Sequence, residues 1–329
     1  MKVVVVLLVA LAVTYCKTPL PMEKKVYIRR EHSLIKPYSS MSMDTPMWDY
    51  SGSTIVSNNE IRLTPDHQSK SGRVWNTIAL MSRNWEILME FKVHGSGRTL
   101  YGDGFALWYV NERQLMSGDV FGAKNGFNGL AIFFDTYSNH NGEHSHGHPY
   151  ISAVVHNGTQ KYDHDNDGTH NELAGCQSSF RGQKHDTFAS IKYINNVLTV
   201  HTDVRGKNKW TKCFEEKNVI LPVGYHLGLS ASTGDLADSH DVKMLKLYEV
   251  DLLPGQTFNV EEALKLVPSA EGEPDRPHVH PKKKEKGSSS VLWTILYIFI
   301  GLVVILSVVG ISIVVWQKKN EDRRRKRFF

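Results

Sequence analysis

The chain has few cysteines and lacks the motifs that would assign it to nucleic acid. Three cysteines among 329 residues are too few and too widely spaced for a zinc finger. No RNA-binding signature is present either. The net charge of +5 comes largely from two basic runs, 282–286 and 323–327, which flank an apolar stretch. This arrangement is typical of a membrane junction, so nucleic acid is excluded as the partner.

Signs of catalysis are also missing. No Gly-x-Ser-x-Gly motif occurs, which argues against a serine hydrolase of the nucleophile-elbow type. Glu86 and Glu90 share one face of a predicted strand, but such a spacing separates them by about 13 Å. Glycosidases need their two carboxylates roughly 5 to 9.5 Å apart. We therefore expect that the protein is not an enzyme, and a glycan-active enzyme is the weaker alternative.

Long apolar runs occur at the two ends of the chain. Residues 1–16 combine one lysine with a short apolar run, which predicts a secretory signal peptide and a mature chain that begins near Lys17. Residues 291–316 contain no ionisable side chain and are long enough to cross a bilayer as a helix. The basic residues after Trp316 predict a cytosolic tail over residues 317–329. Together these features predict a single-pass type I membrane protein.

Two cysteines remain in the mature chain, because Cys16 lies in the predicted signal peptide. In an oxidising lumen such a pair usually forms a bridge, so we predict a disulfide between Cys176 and Cys213. Asn157, followed by Gly158 and Thr159, begins the only Asn-x-Ser/Thr sequence and is a predicted N-glycosylation site in a surface turn.

Between residues 26 and 250 the sequence has short alternating or apolar segments and no long helical periodicity. Such a pattern predicts an all-β domain, an antiparallel β-sandwich or jelly roll. The predicted strands are EILMEFKVHG, GFALWYV, GLAIFFDTY, YISAVVHNG, TFASIKYI, VLTVHTD, YHLGLSAS and VKMLKLYEV. Residues 251–290 are rich in proline and mixed charges, without heptads, which predicts a lumenal stalk that is not a coiled coil and carries one short helix near residues 260–267.

Carboxylates and amides cluster in three polar segments of the predicted domain: Asp103, Asp135 to Asn139, and Asp163 to Asp167. Calcium prefers six to eight oxygen ligands, so the segments predict a calcium site. An EF-hand is rejected because position twelve would be Ala174. Alternate histidines at His140, His144, His146 and His148 raise a zinc alternative, against which a solvated loop is favoured.

Seven further matches, spread over the predicted domain, carry a resemblance: residues 30–38, 61–66, 92–95, 102–109, 129–137, 172–176 and 233–238. Together they resemble the animal L-type (legume-type) lectins of the secretory pathway. The resemblance implies a concanavalin-like sandwich in which calcium holds mannose-binding loops. It implies the calcium ligands Asp135, Tyr137 (through its main-chain oxygen), Asn139 and Asp167. It implies mannose contacts from Ser69, Asp103, Asn139, His164, Gly234, Asp235 and Leu236.

The leading hypothesis is a calcium-dependent lectin that binds high-mannose N-glycans on cargo glycoproteins. We expect this lectin in membranes of the endoplasmic reticulum, the ER–Golgi intermediate compartment and the Golgi.

The tail ends in Lys326, Arg327, Phe328 and Phe329, which resembles transport signals read by vesicle coat proteins. Terminal aromatic residues favour export and basic residues favour retrieval. The alternative is a sorting adaptor that binds protein without reading glycans.

Overall fold

A computed structural model describes residues 25–38, 47–139, 146–250, 257–270 and 289–325. The predicted signal peptide, His140, His144 and the four residues of the predicted transport signal lie outside the described residues. The chain divides after Pro274 into two compact units, which are described separately.

Strands dominate the first unit, together with one short α-helix and two 3-10 turns at Arg30–His32 and His164–Asn166. In chain order the elements are β1 Lys25–Ile28, β2 Trp48–Gly52, β3 Ile55–Val56, β4 Ile61–Thr64, β5 Ser71–Asn76, β6 Trp85–His94, β7 Gly104–Val110, β8 Asn128–Asp135, β9 Tyr150–Asn157, β10 Ala174–Gln177, β11 Thr187–Ile194, β12 Val197–Asp203, β13 Thr211–Glu216, β14 Val219–Ile220, β15 His226–Ser232, β16 Ser239–Val250, α1 Val260–Leu264 and β17 Ser269–Ala270.

Two antiparallel sheets form the body of this unit. The eight-stranded sheet has the order β13-β12-β11-β6-β16-β4-β3, with β1 also paired to β16, and the seven-stranded sheet has the order β10-β9-β8-β7-β15-β5-β2. Phe91 of the first sheet packs edge-on against Phe105 and Phe134 of the second, with ring centroids 5.1 and 5.2 Å apart. The sheets therefore enclose one apolar core, which confirms the predicted antiparallel β-sandwich.

The alternation of apolar residues located the central strands correctly. All eight predicted segments are strands in the structure, namely β6 to β9, β11, β12, β15 and β16. In β6 the side chains alternate between buried and half-buried positions from Ile87 onwards. That alternation is expected of a strand with one face on a core.

A second apolar cluster lies on the other face of the seven-stranded sheet. Its buried residues include Trp108 of β7 and Phe133 of β8, against which Phe121 and Tyr162 pack from neighbouring loops. Phe121 in turn contacts the ring of His164, with centroids 5.4 Å apart and the rings nearly perpendicular. This cluster fixes the loops that lie above the sheet.

The disulfide predicted between Cys176 and Cys213 is present, with a Cα–Cα distance of 5.3 Å. It joins β10 and β13, which are edge strands of the two different sheets. Asn157, the predicted glycosylation site, is exposed at the end of β9, and its side-chain oxygen accepts hydrogen bonds from the main chain and hydroxyl of Thr159.

Part of the predicted stalk is packed onto the sandwich unit. Helix α1 begins after Asn259, whose side chain accepts a hydrogen bond from the main-chain nitrogen of Glu261 at 3.1 Å. Ala263 of this helix is buried, and β17 pairs with β14. Residues 259–270 therefore pack onto the sandwich, and α1 lies within the short helix predicted over residues 260–267.

The second unit contains a single described helix, α2, from Ser289 to Arg325. Its segment Tyr297–Gln317 has 21 residues and a mean hydropathy of 3.1. At 1.5 Å per residue, a helix of this length matches a hydrocarbon core about 30 Å thick. The predicted span 291–316 lies inside this helix, which is long and apolar enough to cross a membrane.

Candidate functional site

Four strand ends meet at one edge of the seven-stranded sheet. Gly104, the first residue of β7, is paired with Asp135 at the end of β8, and Asp135 is also paired with Tyr150 at the start of β9. On the other side, Gly104 is paired with Ser232 at the end of β15. Because antiparallel neighbours run in opposite directions, the loops that follow these ends converge on one place.

Asp103 lies directly before β7 and is held by hydrogen bonds with Thr136, which follows β8, and with Ser232, which ends β15. Its main-chain oxygen accepts two hydrogen bonds from Thr136, one from the main-chain nitrogen and one from the hydroxyl, both 2.9 Å long. The hydroxyl of Ser232 donates to its carboxylate at 3.4 Å. Burial raises the pKa of Asp103, and the charge of nearby His164 opposes that rise. The structure therefore fixes a partly buried carboxylate in the site.

The turn after β8 carries Asp135, Tyr137 and Asn139. The main-chain nitrogen of Tyr137 donates to Oδ1 of Asp135 at 3.0 Å, and that of Asn139 donates to Oδ1 of Asp167 at 2.9 Å. The side-chain amide of Asn139 donates to the main-chain oxygen of His164 at 2.9 Å. Its side-chain oxygen is therefore the atom that can serve a cation.

The loop from Asp163 to Gly168 brings His164 and Asp167 to the same turn. It contains a 3-10 turn, after which Asp167 adopts a left-handed conformation with φ of 51°. The main-chain nitrogen of Gly168 donates to Asp163 at 2.7 Å and closes the loop. Ala174, the position where an EF-hand would need its glutamate, begins strand β10. The loop is thus a turn between strands, which agrees with the rejection of an EF-hand.

Ser69 and the segment after β15 form the other side of the site. The main-chain nitrogen of Ser69 donates to the oxygen of Gly234 at 3.0 Å, and the side chain of Gln68 donates to the oxygen of Asp235 at 2.6 Å. A Cβ atom on Gly234 would lie 3.4 Å from Oδ1 of Asp103. Leu236 lies beside Gly102, the neighbour of Asp103.

All ten residues of the predicted sugar and calcium sites are therefore brought to one region. Asp135 and Asp167 are almost fully buried, with 5% and 4% of their surfaces exposed. Burial raises the pKa of Asp135, and its contact with His148 opposes the rise. Two buried carboxylates that approach one another are costly unless a positive charge lies between or beside them. The donor set, two carboxylates with an amide and a main-chain oxygen, fits calcium.

Two histidines of the polar loop also reach this region, which the sequence did not predict. Nε2 of His148 lies 3.6 Å from Oδ2 of Asp135 and 3.8 Å from Oδ2 of Asp167. His146 lies beside His148, with ring centroids 5.2 Å apart. A solvated loop was the favoured interpretation for these residues, and it is wrong for this pair, whose side chains are buried. Their position just before β9 could have predicted their place in the site, because β9 begins opposite Asp135.

Glu86, the first carboxylate of the enzyme alternative, is buried and accepts a hydrogen bond from Ser190 at 3.1 Å. It therefore lies inside the protein, where no sugar can reach it.

The fold and the site together define a sandwich protein that presents polar loops at a sheet edge, the arrangement of a binding protein.

The chain belongs to the legume-like lectin family, whose model matches residues 25–256. This is a family of carbohydrate-binding proteins rather than enzymes. Vesicular integral-membrane protein VIP36 of Canis lupus familiaris is 42% identical over 311 residues, which cover 92% of this chain and 85% of VIP36. VIP36-like protein of Mus musculus is 40% identical over 308 residues, which cover 92% of this chain and 86% of that protein.

A solved structure of the VIP36 exoplasmic/lumenal domain, in a form bound to Ca²⁺ and mannose, matches this chain with a TM-score of 0.70. The sequences are 46% identical, and the match covers 74% of this chain and 98% of that domain. The expected family and the concanavalin-like fold are confirmed.

Proposed function

We propose that this protein is a calcium-dependent lectin for high-mannose N-glycans, anchored in membranes of the early secretory pathway, where it carries glycoprotein cargo. One observation carries the proposal: Asn139 contacts both the loop of His164 and Asp167, and lies on the same turn as Asp135. The lumenal domain of the relative VIP36 has this fold, and its structure has been solved with Ca²⁺ and mannose bound.

Calcium would be held by Asp135, Asp167, the side-chain oxygen of Asn139 and the main-chain oxygen of Tyr137. Its charge would offset the cost of burying two carboxylates. The remaining ligand positions of a six- to eight-coordinate ion would be filled by water. When bound, the ion would hold the turn after β8 and the loop of Asp167 in one fixed relation, which supports a preorganised sugar site.

Mannose would be recognised next to the ion by polar groups that point to the same place. The carboxylate of Asp103 would accept hydrogen bonds from sugar hydroxyls, and Asn139 and His164 would contribute an amide and a ring nitrogen. Ser69 and the segment of Gly234, Asp235 and Leu236 would close the site. Asp103 is well suited to this task because its main chain is anchored to Thr136 and only its side chain faces the site.

The decisive experiment measures binding of the full-length protein, purified in detergent, to an array of high-mannose and complex glycans. Wild-type protein is expected to bind high-mannose glycans in calcium and to lose binding in chelator. Asn139→Ala should lose both calcium and glycan binding. Asp103→Asn should keep calcium but lose at least about tenfold in glycan affinity, since a charged hydrogen-bond partner contributes about 1.5–3 kcal/mol.

Arg113→Ala is the matched control, because Arg113 pairs with Asp49 on the exposed surface away from these loops. It should bind glycans as the wild type does. Binding in chelator, or an Asp103→Asn protein that binds normally, would contradict the proposed site. Failure of the wild type to bind any glycan, combined with capture of cargo regardless of calcium, would instead support the adaptor alternative.

The cytosolic tail would direct transport of the protein between compartments. The tail would be read by vesicle coat proteins through Lys326, Arg327, Phe328 and Phe329, which lie outside the described residues. Replacing both phenylalanines by alanine should slow exit from the endoplasmic reticulum, and replacing the two basic residues by alanine should shift the steady state towards the Golgi. Unchanged distribution of both variants in cells would contradict a role for the tail in sorting.

A further inference from the structure

A cluster of nitrogen and oxygen donors lies next to the proposed calcium ligands. One ring nitrogen each from His146 and His148 and one carboxylate oxygen of Asp167 all lie within 4.8 Å of one another. Oδ2 of Asp135 is 3.6 Å from Nε2 of His148, and Oε2 of Glu172 is 3.6 Å from Nε2 of His146. Two imidazoles and one carboxylate therefore lie together, with one further carboxylate beside each imidazole.

Four polar atoms on the two histidines and Glu172 are buried without a hydrogen-bond partner among the described residues. The side chains of His148 and His146 are only 6% and 10% exposed. Nε2 of His148, both ring nitrogens of His146 and Oε2 of Glu172 have no hydrogen-bond partner among the residues that the structure describes. Buried polar atoms are nearly always paired, so four unpaired ones on neighbouring side chains indicate a missing ligand.

The distances match a metal better than they match hydrogen bonds. Separations of 3.6 and 3.8 Å between nitrogen and oxygen exceed the usual 2.7–3.2 Å of a hydrogen bond. Two ligands of a tetrahedral zinc ion, each about 2.0–2.1 Å from the metal, lie about 3.3 Å apart. The cluster therefore needs only small shifts to close around an ion.

The orientation of His146 is fixed by its neighbours. Its ring stacks on that of Tyr150, with centroids 3.7 Å apart and an angle of 1° between the planes. The hydroxyl of Tyr150 donates to Oε1 of Glu172 at 2.9 Å, which leaves the other oxygen of Glu172 directed at His146. Stacking thus fixes the plane of the His146 ring, and the hydrogen bond from Tyr150 orients the Glu172 carboxylate, as partners of ligating carboxylates do in metal sites.

We propose that His146, His148 and Asp167 bind a divalent transition-metal ion of the zinc class, with Asp135 or Glu172 as the fourth ligand. Imidazole nitrogen suits zinc and related ions, whereas calcium takes oxygen ligands, so the two ions would select different donors. Asp167, and Asp135 where it takes part, would bridge them, since each carboxylate has two oxygens. The site would tie the segment before β9 to the calcium-binding loops.

The test is equilibrium binding of zinc to the full-length protein. The protein is first stripped of metals and then saturated with calcium, and no glycan is added. One zinc ion per chain is expected for the wild type. His146→Phe keeps a flat ring against Tyr150 but removes both nitrogens, and His148→Gln removes the second imidazole. Each should weaken zinc binding at least tenfold. His185→Phe, at an exposed histidine whose ring contacts the main chain of Val204, is the control and should bind zinc as the wild type does.

Three results would overturn the site: no zinc binding by the wild type, unchanged affinity in both site variants, or release of one bound calcium for every zinc taken up. Cobalt absorption gives a second readout, because tetrahedral Co²⁺ absorbs visible light far more strongly than octahedral Co²⁺, and His146→Phe should weaken those bands. Folding of each variant is checked by its thermal unfolding, and the two histidines test the same site independently. Because zinc is measured without glycan, its failure would leave the proposed lectin function untouched.

Discussion

The side-chain amide of Asn139 donates a hydrogen bond to the main-chain oxygen of His164 at 2.9 Å. This contact connects the turn after β8 to a loop that lies 25 residues further along the chain. The main-chain nitrogen of Asn139 makes a second connection to Asp167. Asn139 therefore joins the elements that would hold the ion to the residue that would read the sugar.

Replacing Asn139 by aspartate should separate calcium binding from sugar binding. The variant keeps an oxygen for the ion but cannot donate to His164, whose carbonyl oxygen would face a carboxylate. We expect calcium binding to persist and mannose affinity to fall at least about tenfold, the cost of one broken, partly buried hydrogen bond with its partner left unpaired. Calorimetry with calcium and then with mannose measures both.

The control for that change is Asn208→Asp, which adds the same charge in an exposed turn and keeps the oxygen that accepts a hydrogen bond from Trp210. It should behave as the wild type. If Asn139→Asp bound mannose normally, the link to His164 would have no part in recognition.

Arg181 should be essential for the stability of the loops around the sugar site. Its guanidinium forms two hydrogen bonds of 2.7 Å to the fully buried Asp238, donates to the oxygen of Gly97 and stacks over Tyr101. Burial raises the pKa of Asp238, and Arg181 opposes that rise. Arg181→Ala would leave a buried carboxylate unpaired, which typically costs about 3–5 kcal/mol in the free energy of unfolding.

Urea unfolding followed by tryptophan fluorescence tests this expectation. Adding Asp238→Asn to Arg181→Ala should restore part of the loss, because the uncompensated charge is then removed. Arg113→Ala, which breaks an exposed ion pair, should cost less than about 1 kcal/mol. Equal effects of the two arginine variants would refute the special role of Arg181.

Loss of the disulfide should weaken the fold while leaving the site intact. The bridge closes a loop across the two sheets with a sequence separation of 37. Chain entropy predicts that a loop of this length contributes about 3–4 kcal/mol. Cys176→Ser with Cys213→Ser should therefore unfold at a lower temperature yet bind mannose normally below that temperature. A loss of affinity in the still-folded variant would show that β10 also shapes the site.

Acid should destabilise the metal-free protein through His240. This ring is fully buried and contacts the hydroxyl of Thr64 at 2.7 Å; burial lowers its pKa to about 3. The attraction of Asp241 opposes this shift, while His94 and Arg181 reinforce it. The ordinary pKa of histidine is 6.5, so between pH 6.5 and about pH 3 the unfolded chain binds a proton at this residue that the folded protein does not. The contribution of His240 to stability is therefore complete above pH 6.5 and is lost as the pH falls below that value.

The expected slope is at most about 1.4 kcal/mol per pH unit for one such group. Urea unfolding in chelator, at pH 7.5 and 5.5, measures the loss. His240→Asn keeps a partner for Thr64 but cannot be protonated, so its stability should fall less over the same interval. Identical losses in the variant and the wild type would assign the acid sensitivity to other groups.

Much of this protein could be predicted from its sequence, because the signals are local. Alternating apolar residues are a property of neighbouring positions, and they located β7, β11 and β12 with the bounds found in the structure. The span within α2 and the pairing of the last two cysteines depend on composition and compartment alone. The short or polar strands β5, β10 and β13 were missed, since their pairing partners and not their own residues make them strands.

The types of donor atom for a calcium site could also be read from the sequence, whereas their convergence could not be derived from spacing. Asp135 and Asp167 meet because the loop after β9 packs over the face of the seven-stranded sheet, where its Tyr162 contacts Phe133. Burial of His146 and His148 depends on how their segment packs against Asp135 and Glu172. The sequence by itself determined which chemistry the protein carries; only the tertiary structure decided which groups share a site, because desolvation and distance are properties of the packed chain.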